Sequence, residues 1–197
     1  MNLEKNLEKY AELAIKVGIN LKEGEGLIIA GNADTLPLAR KIAKKAYEAG
    51  AKHVELLLDD DEITLSRYEY GKDFVFDSYP DWKINALESM YKDNYHHLII
   101  KAPNPELLKN VDGDKIARSQ KSSSHAMAHV MQYRMTGFTK WTIIAMPSIA
   151  WAKSVFPELD DKAAIKKLWG KVFQATRVDQ EDPVKAWNIH DTNLKKY

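Results

Sequence analysis

The chain predicts an α/β fold: an open, mainly parallel sheet of four or five strands with helices on both faces. Three observations carry that reading. Short, wholly apolar runs such as Leu27-Ile28-Ile29-Ala30 and Leu98-Ile99-Ile100 recur along the sequence. Amphipathic stretches of helical length separate them. Strands buried on both faces and alternating with helices imply right-handed crossovers and a covered parallel sheet.

The elements follow in order. Leu3, Leu7, Tyr10, Ala14 and Val17 recur at spacings of four and three, one face of a first helix, with Gly18 as the expected C-cap. Lys22 to Gly26 reads as a turn into the first strand, Leu27 to Ala30. Gly31-Asn32-Ala33-Asp34 leads into a helix with Asp34 as the expected N-cap and Gly50 as terminator. His53 to Leu58 is the second strand, Tyr95 to Ala102 the third and Trp141 to Met146 the fourth. Helices are expected over Asp61 to Tyr70, Pro80 to Lys92, Asp114 to Arg134, Ser148 to Phe156 and Asp160 to Thr176. Residues 1–180 then make one α/β domain. Residues 181–197, with Val184, Trp187 and Leu194 at helical spacing, read as the start of a connecting helix.

Composition narrows the function classes. A chain of 197 residues can bury a substantial core, and its 45% apolar content is ordinary for a globular protein. Twenty-nine basic residues against 28 acidic ones leave no global field to attract nucleic acid or an anionic membrane surface. No apolar run approaches the roughly 20 residues of a membrane span, and the start Met1-Asn2-Leu3-Glu4-Lys5 does not resemble a signal peptide. The absence of cysteine removes disulfides, thiolate metal sites and thiol nucleophiles. A cytoplasmic location is the expectation.

Several clusters invite a chemical reading. Gly24-x-Gly26 precedes a strand, whereas a dinucleotide fingerprint follows one and opens a helix. Asp59-Asp60-Asp61-Glu62 sits at the carboxyl end of the second strand and offers hard oxygen donors, but capping of the next helix is favoured. His125 and His129 share a helix face without the acid that a zinc-peptidase motif needs. His96 and His97 point to opposite sides of a strand and cannot chelate together. Ser122-Ser123-Ser124 lacks a nucleophile elbow, and Asp112-Gly113-Asp114 lacks the rest of a calcium loop. No metal ligand is assigned to this chain. At the ligand-binding edge, Pro147, Ser148, Trp151 and Lys153 follow the fourth strand as substrate-crevice or interdomain candidates. There Trp151 can line a crevice and Lys153 meet a carboxylate, or Trp151 and Phe156 can pack the next helix to the sheet. Arg177, Asp179, Asp182, Trp187 and His190 are interdomain or hinge candidates, with an Arg–Asp pair bracing the exit from the domain.

The run Ala150-Trp151-Ala152-Lys153-x-Val155-Phe156-Pro157, then Leu168-Trp169, then Arg177-Val178-Asp179-x-x-Asp182-Pro183-Val184-x-Ala186-Trp187-x-x-His190 resembles the thermophilic-type metallo-aminopeptidases. Asn6 to Ala11 and Ala46 to Val54 agree as well, so the resemblance covers essentially the whole chain. It implies a two-domain parent about twice this length that releases N-terminal amino acids from peptide substrates. It also implies two divalent metal ions, zinc or cobalt, held by the C-terminal domain, and a homodimer. On that reading the chain corresponds to the N-terminal half, carries no metal ligand and is inactive alone, and Val184, Trp187 and Leu194 should lack their packing partner. The alternative is a stand-alone, non-catalytic binding or regulatory module.

Overall fold

The computed structural model describes residues 2–196, so the last residue of the expected connecting segment, Tyr197, lies outside the described residues. Four strands, β1 (Gly26–Asn32), β2 (His53–Asp59), β3 (Tyr95–Lys101) and β4 (Trp141–Ala145), form one all-parallel sheet in the order β2-β1-β3-β4. The helices are α1 (Leu3–Leu13), α2 (Leu36–Glu48), α3 (Asp61–Tyr70), α4 (Asp81–Lys92), α5 (Gly113–Met135), α6 (Ile149–Val155), α7 (Asp161–Ala175) and α8 (Pro183–Leu194). The larger core lies on one sheet face, where Leu27, Ile29, Leu98 and Ile100 meet Tyr10 of α1, Ile42 of α2, and Trp169 and Phe173 of α7. On the other face Ile28 meets Leu87 and Tyr91 of α4 and Val130 of α5. The expected covering of both faces is what the packing shows.

Local chemistry explains most helix starts. Side chains of Asn2, Asp60, Asp112, Ser148, Asp160 and Asp182 accept hydrogen bonds from backbone N–H groups in the first turns of α1, α3, α5, α6, α7 and α8. These satisfy donors that a helix leaves orphaned. The acidic run after β2 therefore caps α3 through Asp60, as expected.

Two expected caps are corrected. The first helix does not stop at Gly18. It widens into a π-helical stretch, Ala14–Ile19, and ends at Asn20, whose left-handed backbone (φ 52°) an asparagine tolerates. Gly18 instead lets β4 approach, because a Cβ there would sit 3.3 Å from the Thr142 side chain. Asp34 does not cap α2 with its side chain. A 3₁₀ turn, Ala33–Thr35, intervenes, and the buried Thr35 hydroxyl donates to the Asn32 carbonyl at 2.6 Å.

The end of the chain also departs from expectation. Val184 and Trp187 are not stranded: both pack against the larger core, and α8 rests on α1. Only Leu194, 61% exposed, lacks cover. Arg177, in the left-handed region at φ 60°, and the buried Val178 turn the chain back after α7. The first turns of α8 then face the core, and Leu194 lies past its rim.

Candidate functional site

The carboxyl edge of the sheet gathers the loops of interest. From β1 the chain moves to β2 on one side, with α2 on the larger-core face. From β2 it returns through α4, on the opposite face, to β3 on the other side of β1. The crossovers diverge between β1 and β3, and a crevice at the carboxyl ends of such strands is where open α/β sheets hold ligands. A cleft of about 830 Å³ occupies that place. Its floor is the row Leu57–Ala30–Ile99, in register across β2, β1 and β3. Trp82 and Met90 of α4 form one wall, and Asn32, Lys101 and Asn104 the strand-end rim.

Two features shape the cleft. Gly31 must be glycine, because a Cβ would collide with the Thr35 hydroxyl and lie 3.3 Å from the Ile100 carbonyl, so β1 and β3 hold their spacing only without one. His97 forms the deep wall and is 4% exposed. Its Nδ1 lies 2.6 Å from both the Tyr91 hydroxyl and an Arg134 guanidinium nitrogen, and Arg134 donates to the Tyr91 hydroxyl as well. Burial, reinforced by the Arg134 charge, pushes its imidazole down to about 3.

His96 points to the opposite side, as the strand period requires. Its Nδ1 accepts from the Lys140 backbone N–H at 3.3 Å, and its Nε2 lies 3.2 Å from Glu25. Burial lowers the His96 pKa, opposed by the Glu25 hydrogen bond. Burial works against the Glu25 charge too, but hydrogen bonds from Lys140, the Lys22 backbone N–H and His96 outweigh it and hold Glu25 below the usual carboxylate range. This group ties β1 to β3 and β4 at the amino edge, away from the cleft.

The crevice candidates separate. Pro147 is buried at the end of β4. Ser148 donates to the Pro103 carbonyl at 2.5 Å while capping α6, so it links the two strand-end loops beside the cleft. Trp151 is turned away and packs with Phe156 and Leu159 between α6 and α7. Among the described residues Lys153 meets no carboxylate. Its ammonium donates to the Pro157 and Leu159 carbonyls and closes the turn after α6.

The hinge candidates form a different cluster. Trp187 donates from Nε1 to the Thr176 carbonyl at 2.7 Å, Arg177 lies over its ring at 5.1 Å, and His190 meets it edge-on. Asp182 caps α8. Arg177 thus lies over Trp187 while Asp182 accepts from the Lys185 N–H, and among the described residues Arg177 forms no ion pair with an aspartate. Asp179 is exposed.

A two-metal hydrolase needs several carboxylates and histidines converging on one point. Among the described residues no group of three or more such side chains does so. The contacts between histidine and carboxylate are pairs: His53 with Glu55, His96 with Glu25 and His129 with Glu88. The donor set does not fit paired metals.

The sequence reading weighed His97 only as half of a chelating pair, and placed Asn32 and the Pro80 to Lys92 helix without assigning either to a site. The signal was a histidine inside an apolar strand, but which strand ends adjoin depends on sheet order.

The comparisons with known proteins agree on one lineage. The family model described as thermophilic metalloprotease (M29) matches residues 3–197. Aminopeptidase 2 of Geobacillus stearothermophilus is 42% identical over 193 residues, which are 98% of this chain and 47% of that protein. Aminopeptidase T of Thermus thermophilus is 33% identical, across 97% of this chain and 47% of that protein. The solved structure of wild-type AmpT from Thermus thermophilus superposes with a TM-score of 0.87 at 31% identity, over 96% of this chain and 46% of that one. The chain thus spans about half the length of the curated relatives it matches. It belongs to the thermophilic metalloprotease (M29) family.

Proposed function

We propose that this chain is the N-terminal domain of a metal-dependent aminopeptidase that removes N-terminal amino acids from peptides, and that the chain alone is not catalytic. The observation carrying the reading is the pairing of a family match over residues 3–197 with relatives about twice as long. The donor set supports it from the other side, since a water-activating pair of cations has no ligand cluster among the described residues. In this reading two divalent metals, zinc or cobalt, belong to a following C-terminal domain. Residues 1–180 form the α/β domain, and residues 181–197 lead into the rest. Arg177, Asp179, Asp182, Trp187 and His190 set the angle of the exit, and Pro147 and Ser148 lie at the edge facing the second domain.

The whole protein is a homodimer of the cytoplasm in the same reading. No helix among the described residues is long and apolar enough to cross a membrane. The test is direct. The chain is assayed with an aminoacyl chromogenic substrate plus Co²⁺ or Zn²⁺, and the expected result is no turnover above a metal-only blank. Turnover well above that blank, lost on chelation, would overturn the claim.

A further inference from the structure

The cleft between the ends of β1 and β3 is lined by charges of both signs that the protein holds apart. Asn32 and Asp59 are partners in register across β1 and β2, as Ala30 and Ile99 are across β1 and β3. Side chains two residues apart on a strand share a face. Asp59, Asn32 and Lys101 therefore form a second row on the face of Leu57, Ala30 and Ile99, one step nearer the carboxyl edge, and all six line the cleft. Neighbouring strands lie about 4.8 Å apart, so the Asp59 and Lys101 backbones are about 10 Å apart, one on each side of Asn32. Both charged residues are exposed, and neither forms an ion pair among the described residues. Asp61 and Lys83 line the same cleft and are likewise without an ion pair there.

That lining sets the chemistry of a ligand. With the His97 ring neutral, the cleft carries two charges of each sign and no net charge. A ligand of a single sign meets as many repelling groups as attracting ones. A net-neutral molecule with a cation at one end and an anion at the other finds a complementary charge for each. Between its ends it lies over the apolar row and beside the Trp82 indole, which is 67% exposed. Leu57, Ala30 and Ile99 offer only hydrocarbon side chains there, and the Asn32 amide is engaged with the Ala102 carbonyl. A polar middle would lose its water without gaining a partner, so the fitting body is a hydrocarbon chain.

We propose that this cleft binds an elongated, non-peptide zwitterion of the ω-amino carboxylate class, with its ammonium at Asp59, its carboxylate at Lys101 and its methylene chain over Leu57, Ala30 and Ile99. The inference goes beyond the peptidase reading. It needs neither metal nor turnover, so either can fail alone.

The test titrates the isotope-labelled chain with 5-aminopentanoate, whose charges stand about 7 Å apart, the length of two extended residues. NMR follows the Trp82 indole and the Ala30 methyl, and saturable shifts of both are expected. Asp59→Asn and Lys101→Met should each weaken binding about tenfold, the loss of one charge-assisted contact. The melting curves should stay unchanged, because both side chains are exposed. Absence of a saturable shift up to about 10 mM ligand would overturn the proposal. So would undiminished binding to either variant, or equal binding of pentanoate or pentylamine, which carry one charge each. Glycylglycine has the same length with an amide in the middle and should bind more weakly. Equal or tighter binding of that dipeptide would also sink the idea, since the cleft would then be reading peptide.

Discussion

Replacing Tyr10 by Phe isolates one polar contact that fixes the edge of the sheet. The phenol is 2% exposed and sits edge-on to Trp169 and Phe173. Its hydroxyl donates to the Ala145 carbonyl and accepts from the Ala145 N–H, each at 3.1 Å. Burial, opposed by the Ala145 backbone, raises its pKa to about 12, so the group keeps its proton at working pH. Phe retains the packing and removes both hydrogen bonds at the last residue of β4. Two bonds at about 1 kcal/mol each, plus the desolvated backbone groups left behind, give a loss of about 2–3 kcal/mol. For a chain of this size that lowers the melting temperature by about 5–10 °C. Urea unfolding of Tyr10→Phe should show the loss as a lower midpoint at unchanged slope, with faster amide exchange at Ala145. A loss below about 0.5 kcal/mol with unaltered exchange at Ala145 would refute the reasoning, since it would place these bonds among contacts with no net effect.

The pH dependence follows from the two histidine-bearing clusters. The folded pKa of His97 is pushed below its ordinary value of about 6.5, so the unfolded chain takes up a proton that the folded chain refuses until about 3. Stability should fall as pH drops through that window, by up to about 1.4 kcal/mol per unit. Glu25, whose folded pKa is lowered, adds a loss of the same sign as it protonates. Denaturant melts at stepped pH measure the trend, and a His97 ring that titrates near 6.5 by NMR would contradict it. At the other end, Trp187→Ala removes the indole from the core, the bond to Thr176 and the Arg177 stack. The cost is about 2 kcal/mol for this half-buried ring, below the value for a fully buried one. Hydrogen exchange should show protected amides in α8 of the parent chain that open in the variant, and α8 exchanging equally fast in both would count against the packing described.

The strands were legible because each is a short apolar run, and the observed ends fall within two residues of the expected ones. Helix starts were legible wherever Asp or Ser precedes the first turn, as at Asp60, Ser148 and Asp160. Asp34 failed because the buried Thr35 made a competing local bond, and Gly18 failed because a glycine serving close approach looks the same in sequence as one ending a helix. The motif-rich stretch from Pro147 to His190 marked the family correctly, yet its tryptophans are packing groups around α7 and α8. The cleft was not legible. It depends on β3 returning beside β1 rather than beyond β2, a pairing between residues some 70 positions apart that leaves no local trace.

That topology has a consequence for how the site can change over time. The position of the cleft comes from main-chain crossovers, while its lining is made of a few side chains such as His97, Asn32 and Trp82. Shape and selectivity are therefore separately heritable. A lineage can reshape this edge of the sheet by small substitutions at the rim and on α4, at little cost to the core on the opposite face.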